Sequence, residues 1–148
     1  MSTALELIEA MTPLRIYQEA SIAIELKSED ITELNRQQMM KGKKSTGDQI
    51  GIYSWILYAL EKASMNPAAG LMNVDLKYTG SFQGAMSTII NGDEIDIDSM
   101  DSKANELETK YGSDIYGLTG DSNRKFVEDS FMPVFSKQIE DKTGLKFN

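Results

Sequence analysis

With 148 residues, 41% of them hydrophobic and 26% charged, the chain is long enough to fold as one domain, residues 1–148. A chain of this size buries about 68–70% of its unfolded surface. Its 23 acidic and 15 basic side chains leave a net charge of −8, which disfavours a broad nucleic-acid or anionic-membrane footprint. The absence of Cys and His removes disulfides, thiolate and imidazole metal ligands, a Cys nucleophile and the Ser–His–Asp arrangement.

The N-terminal stretch "MSTALELIEAM" carries Glu6 and Glu9 where a signal peptide carries Lys or Arg, and no apolar run reaches bilayer length. A soluble, untargeted product is therefore expected. Thr12 and Pro13 read as the cap and first position of a helix over 13–27. Ser28 is a second capping candidate, with Glu29 and Asp30 in the following first turn and Gly42 beyond the end, predicting a helix over 29–41. Its apolar stripe is thin: Ile31 and Leu34 define a face on which Gln38 falls in the middle and Asn35 at the margin. A buried amide in that place must find partners.

"KKSTGDQIG" (43–51) is a loop by composition, and a third helix, apolar nearly all round, is predicted from about Ile52 to Ser64. In "NVDLKYTG" Val74 and Leu76 alternate with polar neighbours, as in a strand. Phe82 to Ile90 and Glu94 to Asp98 flank Asn91-Gly92, a strong hairpin signal. With Asn91-Gly92 as the two turn residues, Thr88 faces Ile95 and Met86 faces Ile97, while Asp96 and Asp98 point to the opposite side. Ala104, Leu107 and Tyr111 lie at helical spacing before Gly112. A last helix is predicted from Asp121 or Ser122 to about Lys142, kinked at Pro133, with an apolar stripe too broad for one packing partner. The expected architecture is α+β: helices over about 13–64 and 102–142 packed around a small antiparallel sheet at about 74–99, with its hairpin at about 82–98.

Three motifs invite a chemical reading. "NGDEIDIDSMDSK" is crowded with carboxylates, but read as a calcium loop from Asp96 it fails at its fifth, sixth and twelfth positions, Met100, Asp101 and Leu107. An acidic outer strand face and a helix cap at Ser99 or Asp101 explain it better. In "GKKSTGDQ" Gly42 and Gly47 have phosphate-loop spacing, yet Asp48 and Gln49 stand where Lys and a hydroxyl are needed. A carboxylate pair for hydrolysis has no signal beyond the abundance of Asp and Glu. No catalytic, cofactor-binding or metal-binding residue is therefore assigned. Tyr53, Trp55 and Tyr58 read as core packing or a subunit contact.

The ordered blocks "ELNRQQMMKGKKSTGDQIGIYS", "VDLKYTGSFQGAM" and "IDSMDSKANELETKYGSDIYGLTGDS" together resemble a family of small structural proteins of tailed bacteriophages, of the type found in phages of Bacteroidetes-like hosts. The matching positions include Asn35, Gln38 and Gly42, Gly51 and Tyr53, Thr79, Gly80 and Phe82, then Asp101 to Lys103, Lys110 to Gly112 and Ile115 to Thr119. The resemblance spans about 33–122; within 54–70 the chain departs from it with an apolar helix. It implies a virion protein of the head–tail junction, a neck or tail-completion-type connector without enzymatic activity or cofactor. Such a protein is made in the host cytoplasm and forms rings of six or twelve copies. Its partners are itself, portal or head-completion proteins and tail proteins, with no membrane partner and no specific nucleic-acid binding. An acidic ring around a DNA channel would not hold the passing phosphate backbone.

The expected assembly interface comprises Trp55 and Tyr58, Phe82 of the hairpin, and Phe131, Met132, Phe135 and Ile139 of the last helix. The alternative reading is a small cytoplasmic binding adaptor or regulator without catalysis; a carboxylate hydrolase ranks third.

Overall fold

A computed structural model of the chain describes residues 4–5, 13–77, 80–92, 94–144 and 146. Among these, six α-helices of seven residues or more and one two-stranded antiparallel hairpin make an α+β fold. Helices α1 (Pro13–Leu26) and α2 (Ser28–Met40) follow each other directly. Pro13 opens α1, while Thr12, its expected cap, lies outside the described residues. Ser28 does not cap α2; it is the first helical residue, after Lys27.

Helix α3 (Ile56–Met65) starts four residues later than the apolar run suggests. Ile52 pairs with Asn73 in an isolated antiparallel bridge, and the Tyr53 N–H donates to the Met72 carbonyl at 2.7 Å. This pairing holds 52–53 extended, so the helix can begin only after Trp55, itself in an extended conformation. Val74 and Leu76 do not form a strand: Leu76 has φ +56, a left-handed conformation that interrupts any extended run. Asp75 creates that turn, its Oδ1 accepting from the Lys77 N–H at 3.0 Å.

The hairpin is shorter than expected. Phe82 lies in a single helical turn (Ser81–Gly84), and the strands are β1 (Met86–Asn91) and β2 (Glu94–Ser99). Asn91 pairs with Glu94, which moves the two turn positions one residue on, with Gly92 at φ +62 as the first. The register thus slips by two relative to the sequence expectation: Thr88 faces Ile97 and Met86 faces Ser99. An even slip keeps every side chain on its face. Thr88, Ile90, Ile95 and Ile97 share one side, where the Thr88 hydroxyl meets that of Thr32 on α2 at 2.7 Å. The slip also adds the same-face pair Ile90–Ile95, of which Ile95 stays exposed.

After β2, Asp101 and Ser99 shape the entry to α4 (Ala104–Tyr111) without capping it. Ser99 Oγ donates to the Phe82 carbonyl at 2.8 Å, and Asp101 Oδ2 accepts from the Lys103 N–H. The last helical rod consists of α5 (Gly120–Phe126), a π-helical turn (Val127–Phe131) and α6 (Met132–Thr143). It begins at Gly120, one or two residues before the expected Asp121 or Ser122, and its cap is Thr119, whose side chain accepts from the Ser122 N–H at 3.2 Å. The widened turn comes just before Pro133, whose ring would clash with the carbonyl four residues earlier in a regular α-helix. The broad apolar stripe finds its neighbours within the chain, with α5 against α2 and α6 against α1. Buried Glu19 of α1 receives hydrogen bonds from Gln138 Nε2, at 2.7 Å, and from Lys142 Nζ.

The core gathers Met39, Ile50, Val74, Phe82, Met86 and Ile115. Two amides of α2 lace it to the segment entering α5. Asn35 Nδ2 donates to the Ile115 carbonyl at 3.2 Å while Asn35 Oδ1 accepts from the Gly117 N–H at 3.0 Å. Gln38 repeats the pattern, donating to the Gly117 carbonyl at 2.9 Å and accepting from the Thr119 N–H at 2.8 Å. The requirement that buried amides be paired is met by the backbone of 115–119.

Candidate functional site

Helix α3 is turned the reverse of an ordinary surface helix. At 100° per residue, Ala59, Lys62, Ala63 and Tyr58 fall on one arc, and Ile56, Leu57 and Leu60 on the adjoining one. The first arc faces the molecule, where Ala59 and Lys62 are buried; the second faces out, with Leu57 62% exposed. Trp55, 63% exposed, and Ile52, 66% exposed, adjoin it. These five side chains leave on the order of 600 Å² of apolar surface, at the upper end of the largest patch a monomer normally shows.

Charge, rather than apolar burial, fixes the inward side. Lys62 Nζ lies 2.9 Å from Asp75 Oδ1 and also donates to the Lys77 carbonyl. Asp75 Oδ2 accepts from Asn66 Nδ2 at 3.0 Å, and Asn66 donates further to the Met40 carbonyl. Gln83 Nε2 donates to the Asp75 carbonyl at 2.9 Å. Asp75 thus joins α3 and the segment after it through its carboxylate, and the turn before the hairpin through its backbone carbonyl. Such a buried carboxylate costs several kcal/mol to desolvate and persists only with this many partners.

Beside the exposed face is a cleft of about 180 Å³, walled by Tyr53, Tyr58, Phe82, Leu107 and Tyr111, with Ser81, Lys77, Asp101 and Lys103 also lining it. Tyr53 and Tyr58 meet edge to face, with ring centroids 5.0 Å apart. The Tyr53 hydroxyl lies 3.5 Å from Asp75 Oδ1; burial, then the Asp75 carboxylate, push its pKa far above the usual phenol range. That phenol stays protonated and is no base or nucleophile near neutral pH. Tyr111 stands where it does because Gly51 has no side chain: a Cβ there would come within 2.9 Å of the ring. The cleft is below the roughly 300 Å³ at which small-molecule pockets begin and has room for about one aromatic side chain.

Of the residues expected at an interface, Trp55 is exposed and Tyr58 lines the cleft. Phe82 and Ile139 are buried, so the structure assigns them to packing within the chain. Phe131 and Phe135 are half-buried and stack on each other at 5.1 Å, leaving Met132 exposed beside them. Ile52, Ile56, Leu57 and Leu60 are not among the expected interface residues, although a helix apolar nearly all round carries the signal. The buried Lys62–Asp75 pair gave none, since its members stand 13 positions apart and meet only in the fold. Among the described residues no three carboxylates converge as a metal site, and no helix is long and apolar enough to cross a membrane.

The fold and site define a small α+β protein with an outward apolar helix beside an aromatic cleft. Comparison with family models, curated proteins and solved structures finds no match.

Proposed function

We propose that this protein is a structural subunit that works by assembly and docking, without catalysis, at the head–tail junction of a tailed-phage virion. The observation that carries the assembly reading is the reversed amphipathicity of α3. A helix that buries Lys62 and turns Ile56, Leu57 and Leu60 to water is stable in a working state only if that face is covered. The one-side-chain cleft supports a docking surface over a substrate pocket. The phage assignment is supported by the sequence blocks 33–54, 74–86 and 97–122. Their members meet in space: Asn35 and Gln38 clamp 115–119, and Tyr111 packs on Gly51.

Peptide mass spectrometry on gradient-purified particles tests this reading. The chain is expected at the copy number of an oligomeric neck component, with partners among portal, head-completion and tail proteins. Its absence from particles, with the chain recovered from the host cytoplasm, would replace the virion reading with that of a cytoplasmic adaptor.

A further inference from the structure

We infer that the α3 face and the aromatic cleft are two halves of one self-complementary contact, in which Trp55 of one copy enters the cleft of a second copy and receives that copy's Trp55 cleft contact in return. The inference rests on the assembly reading and names the partner at that surface: the chain itself.

Four observations lead to it. Trp55 is a large aromatic side chain held 63% in water, and it is absent from the walls of its own cleft. It stands between two residues that do form those walls, Tyr53 two positions before it and Tyr58 three after. Anchor and socket therefore lie side by side on one patch, as a two-fold contact requires; a head-to-tail contact instead joins two different patches. The cleft volume, about 180 Å³, suits an indole and is too small for an ordinary small-molecule ligand. Its aromatic walls offer the indole edge and face contacts.

The area is also sufficient. The apolar face, on the order of 600 Å², together with the cleft walls approaches the roughly 800 Å² each partner gives to a standard interface. The main chain beneath is preset: the bridge between Ile52 and Asn73, with the Val74 N–H donating to the Gly51 carbonyl at 3.0 Å, holds the Trp55 segment against the segment after α3. A pre-formed anchor loses little freedom on association. A two-fold pair closes on itself, so ring growth would proceed by adding pairs through another face.

Trp55 is the only tryptophan in the chain, which makes its emission a direct probe. In sedimentation and fluorescence titrations, the wild type is expected to pass from monomer to dimer with a blue shift and reduced iodide quenching. Trp55→Ser, at an exposed position, should keep the far-UV spectrum and weaken dimerisation about thirtyfold or more, the usual loss for an anchor residue. Ser81→Phe, which fills the cleft from its wall, should also prevent pairing and leave Trp55 emission red-shifted. Adding Trp55→Ser protein, which has an open cleft and no tryptophan, should restore the blue shift to the Ser81→Phe sample.

No shift on mixing, or a wild type that stays monomeric at high concentration, overturns the inference. Association that survives Trp55→Ser but is lost in Leu57→Asp/Leu60→Asp overturns the reciprocal anchor and leaves the assembly reading standing. Dimers in solution from a chain absent from particles would uphold the pair and remove the virion role.

Discussion

The ammonium of Lys62 lies 2.9 Å from the Asp75 carboxylate, with 6% and 2% of the two side chains exposed. This buried pair orients α3, turning Ala59 and Lys62 inward and Ile56, Leu57 and Leu60 outward. Removing one partner leaves the other charge buried without its counter-ion. Lys62→Met is therefore expected to cost about 3–5 kcal/mol in urea unfolding, and Lys62→Met/Asp75→Asn together should cost less than the single change. A loss below about 1 kcal/mol for the single variant would show that the pair does not set the orientation of α3.

Asn35 and Gln38 each join a donor and an acceptor to the backbone of 115–119. Asn35→Ala strands the Ile115 carbonyl and the Gly117 N–H, and should destabilise the protein by about 2–4 kcal/mol. Hydrogen exchange provides the local check: the Gly117 amide should lose protection before those of β1 and β2. Equal loss of protection across the chain would mean that the clamp has no local role.

Gly51 is expected to tolerate no side chain. In Gly51→Ala the new methyl meets the Tyr111 ring and must displace it, at a cost of about 1–3 kcal/mol. Because Tyr111 walls the cleft, the same change should alter the response of Trp55 emission to protein concentration. Unchanged stability and an unchanged emission titration would show that the ring moves without consequence.

High pH should destabilise the fold through its tyrosines. Burial, followed by the Asp98 and Glu108 carboxylates, raises the Tyr116 pKa to about 12, and Tyr53 shifts in the same direction. An unfolded tyrosine loses its proton near pH 10. Between about pH 10 and 12 the unfolded state thus binds fewer protons than the folded state, and stability falls as pH rises. A titration at 295 nm should show a late-ionising group that Tyr116→Phe removes, together with part of the alkaline loss. Ionisation of all tyrosines near pH 10 in the folded protein would contradict the shift.

Much of the architecture is local and could be read along the chain. Pro13 and Gly112 mark helix boundaries, Asn91-Gly92 locates the hairpin, and the order of the acidic residues places Asp96 and Asp98 on the outer face. The errors share one cause. The start of α3, the absence of a strand at 74–76 and the hairpin register all depend on hydrogen bonds made with other parts of the fold. The Tyr53 N–H pairs with Met72, Asp75 is held by Lys62, Asn66 and Gln83, and Met86 pairs with Ser99. Propensity and period cannot see such bonds, because each is decided by which segment lies alongside.

The candidate site divides in the same way. By itself, the sequence established an acidic chain without Cys or His and with an unusually apolar third helix, because composition and periodicity are properties of the string. Only the tertiary structure decided which side of that helix meets water. Lys62 could be drawn inward only because Asp75, Asn66 and the Lys77 carbonyl converge where its side chain can reach. The same convergence leaves Ile56, Leu57 and Leu60 outward, beside a cleft built from residues as far apart as Tyr53 and Tyr111.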